Sequence, residues 1–153
     1  MIPEISFNAA TSMLRFHSVP DLRRYLKRIL DGNLREMDKM SDAIALVMRD
    51  DKSTPEPSIK GWVKQGNLFI NKDDPDKATL DLLFHLNREM KPSITQISDA
   101  LKTMDKLEAM GISEEASLIL YVRSGIPERV IVIKTDEPAA GERFELKESY
   151  VTR

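Results

Sequence analysis

Residues 73–111 read DDPDKATLDLLFHLNREMKPSITQISDALKTMDKLEAMG, and the parsing of the whole chain follows from this stretch. Asp74 followed by Pro75 is a helix start: a carboxylate can accept from the free N–H groups of the first turn, and the fixed φ of proline suits the first helical position. Pro92 has no N–H to donate and restrains the residue before it, so the spacing predicts that this helix stops there. Ser93 and Gln96 form a Ser-x-x-Gln capping box for a second helix, closed by Gly111, a residue suited to a left-handed C-terminal cap. The stretch is therefore expected to be an αα-hairpin. Its first helix is apolar on nearly all sides (Leu80, Leu82, Leu83, Phe84, Leu86, Met90), as a helix central to a core would be. Its second carries Ile94, Ile97, Leu101, Met104 and Leu107 on one side.

Working upstream, Met13, Leu14 and Phe16 mark a strand over 12–17, and Ser18-Val19-Pro20-Asp21 is a turn. Leu22, Tyr25, Leu26, Ile29 and Leu30 then fall at helical spacing over 21–30, and Asp31-Gly32-Asn33 is expected to end that helix. Asn33 and Glu36 form a further capping box, for a helix striped by Leu34, Met37, Met40, Ile44 and Val47 that ends near Arg49. Residues 50–57 are polar or proline and read as a surface loop. Residues 59–63 and 68–71 read as a hairpin turning at Gln65-Gly66, where glycine can supply a positive φ.

Downstream, 116–122 is an apolar run that periodicity alone cannot assign. Ser113, Glu114 and Glu115 suit a helix start, whereas its β-branched and aromatic content favours a strand, which is the expectation adopted. Residues 129–134, with Val130-Ile131-Val132-Ile133, predict a strand covered on both faces. A loop over 136–143 leads to an alternating edge strand over 144–151 (Phe144, Leu146, Tyr150 against Glu145, Lys147, Ser149). The sum is an α+β fold: four helices in two antiparallel pairs packed on a small mainly antiparallel sheet, in a single globular domain spanning 1–153. Pro20-Asp21 and Ser41-Asp42-Ala43-Ile44 echo Pro75-Asp76 and Ser98-Asp99-Ala100-Leu101, which would make β-α-α units of 12–49 and 67–111. The residues between them do not align.

The composition of the 153 residues, 41% hydrophobic and 31% charged, is that of an ordinary globular domain. A net charge of −2 gives no general attraction to polyanions, so any nucleic-acid surface must be a local patch. The absence of cysteine removes disulfides, thiolate metal sites and a cysteine nucleophile, and fits a reducing compartment. No apolar run reaches the roughly 18–20 residues that span a bilayer, and Met1-Ile2-Pro3-Glu4 lacks the basic start and apolar core of a signal peptide, so the expected location is the cytoplasm.

Chemistry is sparse. No glycine-rich phosphate loop and no nucleophile elbow occurs, and no cofactor or metal is implied. Asp73, Asp74 and Asp76 lack the alternation of a calcium loop and are explained by helix capping. His17 in His-Ser-Val and His85 in His-Leu-Asn distantly suggest the paired histidines of a phosphoesterase, the only enzymatic reading available. The second motif has Asn87 where that chemistry wants a hydroxyl.

Binding is better represented. Arg23, Arg24, Lys27 and Arg28 gather on the polar side of helix 21–30, with Arg15, Arg35 and Lys39 nearby. They suit an acidic protein partner or nucleic-acid phosphates; the simpler reading is a solvated face balanced by neighbouring acids. Trp62, on the hairpin beside Lys60 and Lys64, is either an interface anchor or a core residue. Helix 93–111 followed by two strands loosely resembles the recognition helix and wing of winged-helix regulators. Yet no turn splits residues 94–110, and the would-be wing is strongly apolar. The resulting expectation is a non-enzymatic binding or regulatory protein whose partner is another protein, with nucleic acid as the alternative.

Overall fold

Two helices, not four, run through the structure, a computed structural model that describes residues 4–5, 10–50 and 61–133. The order is β1 (Ser12–Phe16), α1 (Val19–Asp50), β2 (Trp62–Gln65), β3 (Leu68–Asn71), α2 (Pro75–Met104), a 3-10 turn (Glu108–Met110), β4 (Ser117–Arg123) and β5 (Ile126–Ile133). The expected breaks at Asp31-Gly32-Asn33 and at Pro92 lie inside helices of 32 and 30 residues. Each of the anticipated β-α-α units, 12–49 and 67–111, therefore contains one helix where two were expected.

Side-chain burial explains why the stop signals lose. Val19, Leu26, Met40 and Val47 recur at multiples of seven along α1, and Leu83, Met90, Ile97 and Met104 do so along α2; all are buried. A fully buried side chain of this kind contributes roughly 1.5–3 kcal/mol, against about 1 kcal/mol lost at a helical glycine and about 3 at a helical proline. The supposed caps are also engaged elsewhere. Ser93 is buried, and its hydroxyl donates to the Gly125 carbonyl at 3.3 Å. Glu36 accepts from Lys39 at 3.0 Å instead of closing a capping box.

The true helix starts are local and strong. Ser18 caps α1, its Oγ accepting the Asp21 N–H at 3.2 Å. Asp74 caps α2 as read from the sequence, its Oδ1 accepting the Lys77 N–H at 3.2 Å, while the Asp74 N–H donates to Asn71 Oδ1 at 3.1 Å. Gly111, at φ 81°, ends the 3-10 turn that follows α2.

The described residues divide into two compact units. One holds β1, residues 19–34 of α1, residues 92–104 of α2, β4 and β5. Its sheet is antiparallel with β4 central, in the order β1-β4-β5, so the expected strand at 116–122 is present. Leu118, Leu120 and Val122 of β4 share one core with Leu14, Phe16, Leu22, Leu26 and Met104. Ser124 and Gly125 turn β4 into β5 with φ values of 53° and 77°, the pair of positive angles that a type I′ turn requires. The register then shifts: Tyr121 faces Arg129 and Val122 faces Pro127, leaving Glu128 as the bulged residue.

The other unit holds residues 35–50 of α1, the antiparallel hairpin β2–β3 and residues 75–91 of α2. Met40, Ala43 and Val47 on α1, and Ala78, Leu80, Leu83 and Met90 on α2, are its buried apolar residues among the helices. Leu82 is exposed, so the first part of α2 has a wet side where an all-round apolar helix was expected. Gly66, at φ 60°, starts the hairpin turn, which falls at Gly66-Asn67, so β2 runs on to Gln65, past the expected end at Val63. The expected loop 136–143, the edge strand 144–151, residues 51–57 of the expected loop and residues 59–60 of the expected strand lie outside the described residues.

Continuous helices make a direct prediction. A Cβ at Gly32 would meet nothing within 4 Å, and Pro92 is exposed. Gly32→Ala should therefore raise the unfolding free energy in urea by about 0.5–1 kcal/mol, and Pro92→Ala by about 1–3 kcal/mol. Losses at both positions would restore the broken-helix reading.

Candidate interaction surfaces

The first surface lies on the unit built around β4. Because the second half of α2 does not cover β5, an apolar groove of about 310 Å³ opens between them. Leu22, Leu26 and Leu120 form its buried floor, Met104 and Leu107 its helical wall, and Val130 its strand wall. Val132 continues the same side of β5, since it pairs with Leu118 as Val130 pairs with Leu120. Both valines are exposed, as is Ile131 between them, so the expectation of a strand covered on both faces is corrected. In the described sheet β5 is an edge strand. Its neighbours on the polar rim are engaged locally: Thr103 Oγ1 donates to the Asp99 carbonyl at 3.1 Å, and Glu128 accepts from Arg123 at 2.8 Å and lies 3.5 Å from Arg129.

The second surface is the hairpin of the other unit. Val63, Leu68, Phe69 and Ile70 are 53%, 62%, 65% and 46% exposed, on both faces of a two-stranded sheet. Lys64 stands over the Phe69 ring, 5.8 Å from its centroid. Asn71 anchors the base of the hairpin to the α2 cap through the bond to Asp74 already described. A two-stranded ribbon of this kind has little core of its own.

The residues singled out in the sequence are distributed over both units. Arg23, Arg24, Lys27 and Arg28 occupy one stretch of α1, as expected, but with compensation: Arg24 pairs with Asp21, Arg23 lies 3.9 Å from Asp105, and Arg28 sits 5.9 Å from the Tyr25 ring centroid. Trp62 belongs to the other unit and is half-buried on the hairpin face that carries Lys64, Phe69 and Asn71. His17 and His85 are both exposed and also fall in different units; His85 lies 4.0 Å from Glu89 on the same helix. Among the described residues, no group of three or more His, Cys, Asp or Glu could hold a metal ion, and no helix is long and apolar enough to cross a membrane. β4 and β5 are integral to a core sheet, not a free wing.

The groove was not anticipated, although one signal for it existed. Pro127 next to Val130-Ile131-Val132 marks an edge or bulged strand, because proline cannot donate to a ladder on both sides. With the geometry in hand, comparison adds nothing further: no known family, no curated protein and no solved structure matches the chain.

The two walls should behave differently on truncation. Met104→Ala removes a buried side chain and should cost about 2–5 kcal/mol in urea unfolding, whereas Val130→Ser on the open wall should cost no more than about 1 kcal/mol. Equal losses would mean that the wall is packed and the groove closed.

Proposed function

We propose that this chain is a non-enzymatic binding protein that holds an extended segment of a partner protein in the groove between α2 and β5. One observation carries the reading: an apolar trough beside an edge strand whose groove-side valines, Val130 and Val132, are exposed. An extended peptide satisfies both features at once. Its main chain pairs with the outer edge of β5, and every second side chain enters the trough. The apolar lining favours such a peptide over nucleic acid, whose backbone would ask for cations there. At the rim of the trough Thr103 serves its own helix and Glu128 the bulge, which favours holding over chemistry.

Arg23, Arg24, Lys27 and Arg28 enter this reading as a source of long-range attraction for an acidic partner, a role that affects encounter rates more than affinity. Trp62, on the other unit, is proposed as a separate apolar contact and not as part of the groove. The cysteine-free composition accords with action in the cytoplasm.

Selection from a random peptide library tests the proposal. Enriched peptides should alternate apolar and polar residues, and should bind the Val130→Lys variant at least about tenfold more weakly than the unaltered protein. Enrichment without alternation, or equal binding to the variant, would remove the groove as the site.

A further inference from the structure

We infer that β3 pairs with β3 of a second copy of this chain, antiparallel about a two-fold axis through Phe69, so that two hairpins become one four-stranded sheet. The inference stands on the hairpin alone and does not rest on the groove. Three observations carry it. The first is the exposure of Val63, Leu68 and Ile70 on one face of the hairpin and of Phe69 on the other. Nothing in the described structure pairs with the hairpin beyond its own two strands.

The second observation is the difference between its edges. Sheet edges are normally guarded by charge, lysine above all, or by proline. β2 carries Lys64, whose ammonium leans over Phe69 on one face of the hairpin; β3 itself reads Leu-Phe-Ile-Asn, with neither a charge nor a proline of its own. The open edge is therefore that of β3.

The third is self-complementarity. An isologous contact needs each residue to meet one that suits it under the two-fold. Side chains opposite each other in an antiparallel pair share a face, so the axis must pass through a residue that meets its own copy. With Phe69 on the axis, Phe69 meets Phe69 of the second copy, and Leu68 meets Ile70 twice. The face shared by Val63, Leu68 and Ile70 then becomes one uncharged surface across both copies, and an aromatic pair sits at the centre of the other face.

The absence of cysteine makes the test clean. Light scattering should give twice the chain mass, and Phe69→Lys, which sets two like charges opposite each other, should raise the dissociation constant at least about tenfold. Mixing Phe69→Lys with Phe69→Asp should restore the dimer. Phe69→Cys should cross-link to itself on oxidation, whereas Thr95→Cys, exposed on α2, should not. A chain that stays monomeric at the highest concentration reached, or a dimer that survives Phe69→Lys, overturns the inference. Should Phe69→Lys disturb the hairpin, the cross-link decides: a Phe69→Cys chain that dimerises without cross-linking overturns it as well. Val130→Lys should leave the dimer intact, which separates this result from that of the peptide selection.

Discussion

Leu83, Met90, Ile97 and Met104 stand seven residues apart on α2, and every one of them is buried. This recurrence is the constraint on which the rest of the structure depends. A spacing of seven is two turns at 3.5 residues each, close enough to the 3.6 of a helix to keep the four side chains on one stripe. Pro92 falls between Met90 and Ile97, on an exposed position. Terminating the helix there would turn Ile97 and Met104 off the stripe and out of the core, a loss of roughly 3–6 kcal/mol by area, against about 3 kcal/mol for keeping a proline in a helix. α1 poses the same problem in milder form. Met40 and Val47 keep the register of Val19 and Leu26 across Gly32, where the local cost is about 1 kcal/mol.

Once both helices are continuous, the sheets have limited cover. β4 takes the central place, and its Leu118, Leu120 and Val122 are satisfied by helices on one side and flanking strands at both edges. β5 is treated differently along its length. Its beginning has Pro127, the bulge at Glu128, and the ion pairs of that carboxylate with Arg123 and Arg129, all devices that discourage an incoming strand. The four residues from Val130 to Ile133 have none of these. Among the described residues the strand is thus guarded at one end and unpaired along its outer edge at the other.

The elements whose signals are local were legible in the sequence. Asp74-Pro75 gave the start of α2 because both residues act within one turn of themselves, and Gly111 gave the close of the region for the same reason. The strands β1, β3 and β4 were read from short apolar runs bounded by turn residues. What failed were the interior stops. Gly32 and Pro92 are strong local signals, but the opposing term is a sum over residues many turns away, and a reading made one window at a time does not collect it. Ser93 shows the same thing in one residue: its hydroxyl could cap a helix, yet its partner is Gly125, distant in sequence and brought near only by the β4–β5 turn. The groove was hidden for a related reason. Val130-Ile131-Val132 announces burial, whereas the exposure of these three follows from where α2 passes, and Pro127 signals only that the strand is an edge or bulged one.

The same distinction separates the surfaces by the chemistry they can support. The cations of α1 drew attention as a linear pattern, but Asp21 and Asp105 bring compensating charge to that face, and exposed pairs of this sort contribute little to stability. Their remaining influence is a screened field, effective within about 10 Å at ordinary salt. The apolar surfaces differ in kind. The groove has a floor made of core residues, so its shape is held by the same packing that holds the fold, and rigid walls favour a partner selected by side-chain size. The hairpin has no such floor. Its unguarded edge offers main-chain groups in a fixed register, and a register selects by pattern: it suits a strand with apolar residues at matching positions and no charge, which the sequence of β3 itself provides.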